Sequence, residues 1–116
     1  MSGSDVRVRS MTERELLDAV VEIAARLGWL VHHDRPAANR RGQWATHIQG
    51  DPGFPDLILV RPPRIVVAEL KRERGVITPQ QRAWLEALAS CGIEVHVWKP
   101  TDWLSGAIEA VLHGAR

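Results

Sequence analysis

The chain has 116 residues, of which 45% are hydrophobic and 25% are charged, as expected for one globular domain with its own core. Its single cysteine, Cys91, excludes an internal disulfide and a cysteine-rich zinc site, and we expect it to be buried at a helix end. No apolar run approaches the ~20 residues of a membrane span, and the start of the chain lacks a hydrophobic signal core. These features predict a cytoplasmic protein with no membrane contact.

The net charge of +1 conceals an uneven distribution. Residues 35–82 contain nine Lys or Arg and four Asp or Glu, whereas the rest of the chain contains six and ten. A polyanion such as DNA would be attracted to this basic stretch, although a solvated charged surface is the alternative. The arginines that we expect to contact DNA are Arg35, Arg40, Arg41, Arg72 and Arg74.

A helix is predicted near the start of the chain. Residues 1–10 are expected to be a flexible segment, followed by a single domain over residues 11–116. Thr12 and Glu15 form a capping box, and the apolar residues that follow recur at helical spacing until Gly28 ends the helix.

A short strand and a long polar loop come next. The strand is predicted over residues 29–33 and the loop over residues 34–53, a length that is typical of functional or disordered segments. Trp44, inside the loop, would stack on a base or pack against a partner chain. Three histidines lack a spacing diagnostic of a metal site and are expected at a surface or facing DNA: His32, His33 and His47.

Two apolar strands around Pro62 and Pro63 predict a hairpin. Folded symmetrically about the prolines, the hairpin pairs residues whose numbers add up to 125, so that Asp56 faces Glu69 with Cβ atoms ~5 Å apart. Lys71 is two residues beyond Glu69 and therefore lies on the same face. Two carboxylates this close repel each other unless a cation or a shared proton holds them together. The hairpin therefore predicts a hydrolytic metal site at its open end.

The second half of the chain predicts a β-α-β unit. A helix capped by Thr78 is expected over residues 78–91, followed by an alternating strand over residues 93–98 that should run parallel to the second hairpin strand. A last helix is expected from Thr101 to Leu112. The resulting order, α-β-β-β-α-β-α, predicts an α/β three-layer sandwich, with helices flanking both faces of a central mixed sheet.

The residues of the predicted site suit phosphodiester hydrolysis. Asp56 and Glu69 would supply two oxygens to a hard divalent cation, and the backbone carbonyl of Leu70 would add a third. Such a cation lowers the pKa of a bound water and stabilises charge on a phosphate oxygen. Lys71 would hold the attacking water or neutralise the negative charge that develops.

Two further residues are candidate accessory groups of the site, and each has two interpretations. Glu13 shares a helix face with Leu16 and Val20, so we favour it over Glu15 as a third acid that acts through water. A glutamate in a first helical turn is also explained by the helix dipole. Gln81 is either a capping-box residue or a group near the phosphate or water, and the sequence supports both interpretations equally.

Together these segments resemble the VRR-NUC domain, a branch of the PD-(D/E)XK nuclease superfamily. The family pattern is an early helical Glu, a G-x-P-D before a strand, an E-x-K on the next strand and a T/S-P-x-Q that opens a helix. Glu13 and residues 53–56, 69–71 and 78–81 match these motifs in order. The V-R-R triplet found in many members is not evident near the motif, which leaves the subfamily open.

The resemblance implies a restriction-endonuclease-like fold and Mg²⁺- or Mn²⁺-dependent DNA cleavage. It implies that Asp56 and Glu69 are metal ligands, that Lys71 is the catalytic lysine, and that Glu13 and Gln81 are accessory. Stand-alone members, often from phages or bacteria, act as small homodimers, and some resemble Holliday-junction resolvases. We therefore expect a homodimeric, structure-specific endonuclease. The alternatives are a non-catalytic DNA-binding relative, a nuclease acting on RNA or unbranched DNA, and a different small α/β enzyme.

Overall fold

The computed structural model describes residues 11–33, 37–38, 44–45 and 49–114, in the order helix, five strands, helix, strand and two helices. The helices are α1 (Glu13–Arg26), α2 (Pro79–Ser90), α3 (Pro100–Leu104) and α4 (Ala107–His113). The strands are β1 (Leu30–His33), β2 (Ala37–Ala38), β3 (Trp44–Ala45), β4 (Leu57–Arg61), β5 (Arg64–Leu70) and β6 (Glu94–Trp98).

The main sheet has four strands in the order β1-β4-β5-β6. The β4–β5 pair is antiparallel from Leu57 opposite Ala68 to Arg61 opposite Arg64, so the register predicted for the hairpin is confirmed. β5 and β6 are parallel and are connected through α2, as the β-α-β prediction requires. β2 and β3 form a separate antiparallel pair inside the segment that was predicted to be a loop throughout.

One face of the main sheet forms the hydrophobic core with α1 and α4. The apolar residues of α1 fall on one side of the helix because of their spacing, and they pack against alternate residues of the hairpin strands. Burying each large aliphatic side chain contributes ~1.5–3 kcal/mol. The buried core comprises Leu16, Val20, Ala24, Trp29, Leu57, Leu59, Val66, Ala68, Leu70, Trp98, Ile108 and Leu112.

The opposite face of the sheet is covered by α2, but incompletely. Leu85 of α2 is 7% exposed and packs on this face near β6. Ile65 and Val97 on the same face remain 43% and 37% exposed. The three-layer arrangement with a central mixed sheet is therefore confirmed. The apolar residues on both faces of the hairpin predicted full coverage, but α2 leaves part of its face exposed.

Two arginines at the closed end of the hairpin bind the C-terminal ends of α1 and α4. Arg61 and Arg64 lie 4.6 and 5.1 Å from the ring centroid of Trp29. Arg61 donates hydrogen bonds to the carbonyl oxygens of Leu27, after α1, and of Gly114, after α4. Arg64 also donates to the Gly114 carbonyl, at 2.7 Å. These cations satisfy carbonyls that a helix leaves unpaired at its C-terminus and oppose the negative end of its dipole.

Arg64 also joins the hairpin to β6. Its guanidinium binds both carboxylate oxygens of Glu94, at 2.8 and 2.9 Å, and His96 contacts the same carboxylate at 3.0 Å. Burial alone would raise the pKa of the Glu94 carboxyl, but hydrogen bonds from His96 and Arg64 outweigh it and lower that pKa below the ordinary value.

Two predictions about the ends of helices are wrong. The last helix is interrupted, because Gly106 adopts a left-handed φ of +85° between α3 and α4. Cys91 is exposed after α2, whereas we expected it to be buried. Among the described residues, no helix is long and apolar enough to cross a membrane. The predicted flexible segment, residues 1–10, lies outside the described residues.

Candidate active site

Asp56 stands at the open end of the hairpin, one residue before β4. Its Oδ2 accepts a hydrogen bond from the backbone N–H of Leu70 at 2.8 Å. The carboxylate thus takes the place of a backbone acceptor beyond the last strand pair. The β4–β5 ladder ends at Leu57 and Ala68, so this bond joins Asp56 to the end of β5 that carries Glu69 and Leu70. The predicted oxygen ligands are therefore gathered at one strand end.

Glu69 is the buried acid of the site. Its side chain is 3% exposed, and no N–H or O–H group of the described residues donates to its Oε1, so a hydrogen bond with Asp56 requires a proton on one of the two acids. Burial, followed by the charge of Asp56 and a hydrogen bond with it, raises the pKa of the Glu69 carboxyl to about 8; Lys71 opposes this and Glu13 adds to it. The protonated form of this carboxyl is therefore favoured in the metal-free site.

Lys71 follows Glu69 by two residues and lies beside it. Its backbone N–H donates to the carbonyl of Trp98 at 3.0 Å, which extends the β5–β6 pairing past the end of the strand. Its Nζ lies 3.7 Å from Glu69 Oε2, and 13% of its side chain is exposed. The sheet thus fixes the backbone from which this ammonium group reaches Glu69.

Gln81 is the capping-box residue that the sequence offered as one of two interpretations, and its side chain also contacts Glu69; a role near the phosphate or water stays a prediction. Its Oε1 accepts from the Thr78 N–H at 2.9 Å, and the Thr78 hydroxyl accepts from the Gln81 N–H at 3.1 Å, which completes a capping box. Its Nε2 donates to Glu69 Oε2 at 3.0 Å. One amide therefore ties the start of α2 to the buried acid of β5.

Glu13 is placed differently from our expectation. It is exposed on the first turn of α1, whereas we expected it to be buried, and it lies near enough to Glu69 for its charge to contribute to the raised pKa of that carboxyl. Glu15 forms the predicted capping box, since its Oε1 accepts from the Thr12 N–H at 2.9 Å. The role of Glu13 through a water molecule stays a prediction.

The arginines predicted to contact DNA divide into two groups. Arg72 and Arg74 are exposed in the segment that follows Lys71. Glu73, between them, accepts from the backbone N–H of Thr101 at 3.1 Å and from its hydroxyl at 2.6 Å, which anchors the segment to α3. The predictions for Arg35, Arg40, Arg41, His47 and the side chain of Trp44 lie outside the described residues.

The segment before Asp56 is held against α2 by contacts that the sequence did not reveal. The indole Nε1 of Trp84 donates to the carbonyls of Asp51 and Pro52 at 3.3 and 3.1 Å. Gly53 has a φ of +97°, and a Cβ there would come within 2.6 Å of the Gln80 backbone carbon. The glycine of the G-x-P-D motif therefore indicated a close approach of the backbone at Gly53. The sequence did not show that α2 is the element it contacts.

The donor set fits a hard divalent cation with few protein ligands. Among the described residues, no group of three or more His, Cys, Asp or Glu could hold a metal ion. Mg²⁺ is commonly bound by one or two carboxylates and keeps several waters, and Asp56 and Glu69 meet that requirement. The orphaned buried Oε1 of Glu69 supports the fit, because a buried carboxylate oxygen requires a proton or a cation.

Comparison with known proteins agrees with this arrangement. The family model of the VRR-NUC domain, which describes the family's sequences, matches residues 30–101 of this chain. The chain belongs to the VRR-NUC domain family. A solved structure titled "VRR_NUC domain" shares the fold, with a TM-score of 0.60 and 24% identity over 85% of this chain and 97% of that chain. No curated protein matches the chain.

VRR-NUC domains are nuclease-type domains, which supports a nuclease function in general and DNA as the class of substrate. The part of the chain that matches the VRR-NUC domain contains Asp56, Glu69, Lys71 and Gln81. Glu13 lies before that part, so the family match leaves its role as an accessory acid open.

Proposed function

We propose that this VRR-NUC domain is a Mg²⁺- or Mn²⁺-dependent endonuclease that hydrolyses phosphodiester bonds in DNA. The observation that carries the proposal is the buried Glu69 carboxyl beside Asp56, with one oxygen to which no N–H or O–H group of the described residues donates and an ammonium group 3.7 Å from the other oxygen. A purely structural ion pair would need one acid and one base. Burying a second acid beside the first is unfavourable unless the pair shares a proton or binds a cation, and a bound cation would replace the proton.

Asp56, Glu69 and the Leu70 carbonyl are the groups that would hold the cation. When bound, the cation supplies a water of lowered pKa and stabilises negative charge on a phosphate oxygen. The hydrogen bond from the Leu70 N–H orients the Asp56 carboxylate before any ligand arrives. Glu69 has to release its proton to become a ligand, so cation binding and proton release are coupled.

Lys71 and Gln81 complete the proposed chemistry. The ammonium group of Lys71 would orient the attacking water or neutralise the charge that develops on the phosphate, and its fixed backbone keeps it in position. Gln81 would act through Glu69, because its amide hydrogen bond fixes the orientation of that carboxyl. Glu13 is proposed as an accessory acid that acts through water.

The basic residues around the site would bind the DNA backbone. Arg72 and Arg74 are exposed directly after the catalytic lysine, where they would meet phosphates next to the scissile one. Arg35, Arg40 and Arg41 are proposed to extend this contact. Because such contacts are electrostatic, binding would weaken steeply as salt concentration rises.

We also propose that the domain acts as a homodimer on branched DNA such as a four-way junction. Symmetric cutting of two strands requires two sites, and each chain carries one set of Asp56, Glu69 and Lys71. Leu30, Val60 and Ile65 are neighbours across three strands, and Leu30 and Ile65 are 73% and 43% exposed. This apolar row is a surface that a second copy would cover. A particle that scatters light as a monomer at high concentration would refute the dimer.

A cleavage assay tests the proposed function. Purified protein is incubated with supercoiled plasmid, a synthetic four-way junction or single-stranded RNA, in Mg²⁺, Mn²⁺ or EDTA. We expect DNA cleavage that requires metal and falls by about 10²–10³-fold or more in Asp56→Asn, Glu69→Gln and Lys71→Met. Glu86→Gln, an exposed acid on α2, is the matched control and should cut normally. Equal cutting by wild type and all three site variants would refute the proposal.

A further inference from the structure

An aromatic pair lies next to the candidate active site and is not used by the chemistry proposed for it. Phe54 and Trp84 pack edge to face, with ring centroids 5.0 Å apart and planes at 86°. Phe54 is 41% exposed, which is unusual for a large apolar side chain on a segment held so closely. An exposed ring with a fixed neighbour is the kind of surface on which a nucleobase stacks.

The pair is rigidly positioned. The Trp84 indole N–H is bonded to the carbonyls of Asp51 and Pro52, so its ring cannot turn without releasing that segment. Gly53 approaches the Gln80 backbone so closely that a Cβ would be 2.6 Å from it. Phe54 is therefore presented on a segment that is fixed from both sides, which reduces the entropy lost when a ligand binds.

A cavity beside Trp84 has room for a ligand group. Its volume is about 370 Å³, and its walls are Asp51, Pro52, Gln80, Ala83, Trp84 and Ala87. The side-chain amide of Gln80 offers both a donor and an acceptor, and the Asp51 carboxylate offers acceptors. The negative charge of Asp51 disfavours a phosphate in this cavity, whereas it suits the amino groups of a base.

Two chain segments connect the residues around the cavity to residues of the site. Phe54 precedes Asp56 by two residues, and Gln80 is the direct neighbour of Gln81, whose amide binds Glu69. A base stacked here would therefore belong to a nucleotide adjacent to the scissile phosphate. Because the face of a base is free to stack only when the base leaves its helix, that nucleotide would be unpaired.

We propose that Phe54, Trp84 and the adjoining cavity form a subsite for one unpaired nucleobase of the substrate strand. This subsite rests on the proposed nuclease function and deepens it, because it would make DNA with unpaired nucleotides at the cut a better substrate than continuous duplex. Phe54 would supply the stacking surface, Trp84 would support the Phe54 ring edge to face, and Gln80 would contact the edge of the base.

Binding in EDTA tests the subsite without requiring cleavage. A fluorescein-labelled single-stranded oligonucleotide and a blunt duplex of the same sequence are titrated with wild type, Phe54→Ala, Phe54→Leu and Phe54→Trp, with anisotropy as the readout. Loss of one stacked base should raise the Kd for the single strand about tenfold in Phe54→Ala and Phe54→Leu, with less than about a twofold change for duplex. Phe54→Trp should stay within about threefold of wild type.

The control and a second readout separate stacking from a structural role. Leu104→Ala removes an apolar side chain of similar exposure, 38%, on α3, and should not alter either Kd. 2-Aminopurine in the single strand should lose fluorescence on binding to wild type but not to Phe54→Ala. Equal losses for single strand and duplex, wild-type affinity in Phe54→Leu, or a loss in Phe54→Trp as large as in Phe54→Ala would each overturn the subsite.

The result also distinguishes this proposal from the nuclease proposal. If Phe54-dependent binding of single strands occurs in a protein that cuts nothing, the nuclease function fails and the subsite remains. If the protein cuts DNA in a metal-dependent way but Phe54 variants bind single strands as wild type does, the subsite fails and the nuclease function remains.

Discussion

In the metal-free protein, Glu69→Gln should have a higher free energy of unfolding than wild type, and the difference should grow as pH rises. Burial and the neighbouring Asp56 carboxylate raise the pKa of the Glu69 carboxyl from 4.5 to about 8. Between these values the unfolded chain has lost the proton and the folded chain has kept it, so raising the pH favours unfolding. Glutamine removes this effect, because it has no proton to lose and its amide can still meet Gln81.

The size of the effect follows from the two pKa values. Each unit of pKa difference corresponds to about 1.36 kcal/mol. Through this group alone, the free energy of unfolding of the wild type should therefore be about 3 kcal/mol lower at pH 7 than at pH 4. Between pH 5 and pH 8.5 the stability difference between Glu69→Gln and wild type should grow by about 4 kcal/mol. At pH 4 and below, the protonated wild type and the variant should be similarly stable.

Urea denaturation in EDTA at pH 4, 5, 7 and 8.5 measures this difference. Glu86→Gln, exposed on α2, is the matched control and should follow the wild type at every pH. Saturating Mg²⁺ at pH 8 should stabilise the wild type by a few kcal/mol and Glu69→Gln little, because the cation replaces the proton on the carboxylate. A pH-independent difference between Glu69→Gln and wild type would refute the reasoning about the buried acid.

Further predictions concern the groups that hold the site and the core. Gly53→Ala should lose about 1–3 kcal/mol more stability than Gly50→Ala, since both glycines have positive φ but a Cβ clashes only at the first; equal losses in urea denaturation would contradict the close approach. Arg64→Ala should cost about 2–3 kcal/mol, against ~0.5 or less for Arg26→Ala, whose ion pair is exposed; similar thermal shifts would argue against the fastening of α4. Thr78→Ala should cost about 1 kcal/mol by loss of the helix cap and should also lower cleavage activity, because the capping glutamine holds the buried acid; unchanged activity would separate the cap from the site.

The sequence predicted the parts of the site that depend on strand pairing. The symmetric pattern around Pro62 and Pro63 fixed the hairpin register, and alternation along β5 then brought Lys71 next to Glu69. Both follow from local geometry that any extended strand obeys. Helical spacing likewise located α1 and α2 to within one or two residues.

Contacts between distant segments could not be predicted in the same way. No spacing rule shows that the Gln81 amide reaches Glu69, or that Trp84 binds the carbonyls before Asp56, because each contact depends on how α2 packs on the sheet. Glu13 illustrates the limit. Its apolar neighbours on the helix predicted that it would be buried, but its side chain in the first turn of α1 is exposed.

The two ends of the β4–β5 hairpin have opposite effects on the stability of the fold. At the closed end, Arg61 and Arg64 bind helix carbonyls and stabilise the fold. At the open end, Glu69 is buried beside a second acid, Asp56, so its ionisation is opposed at a cost in stability. Because the two ends share no side chain, a descendant of this chain could lose its acids and remain folded, or even gain stability. Loss of catalysis would then be an easy evolutionary step, and an inactive binding protein would be its natural product.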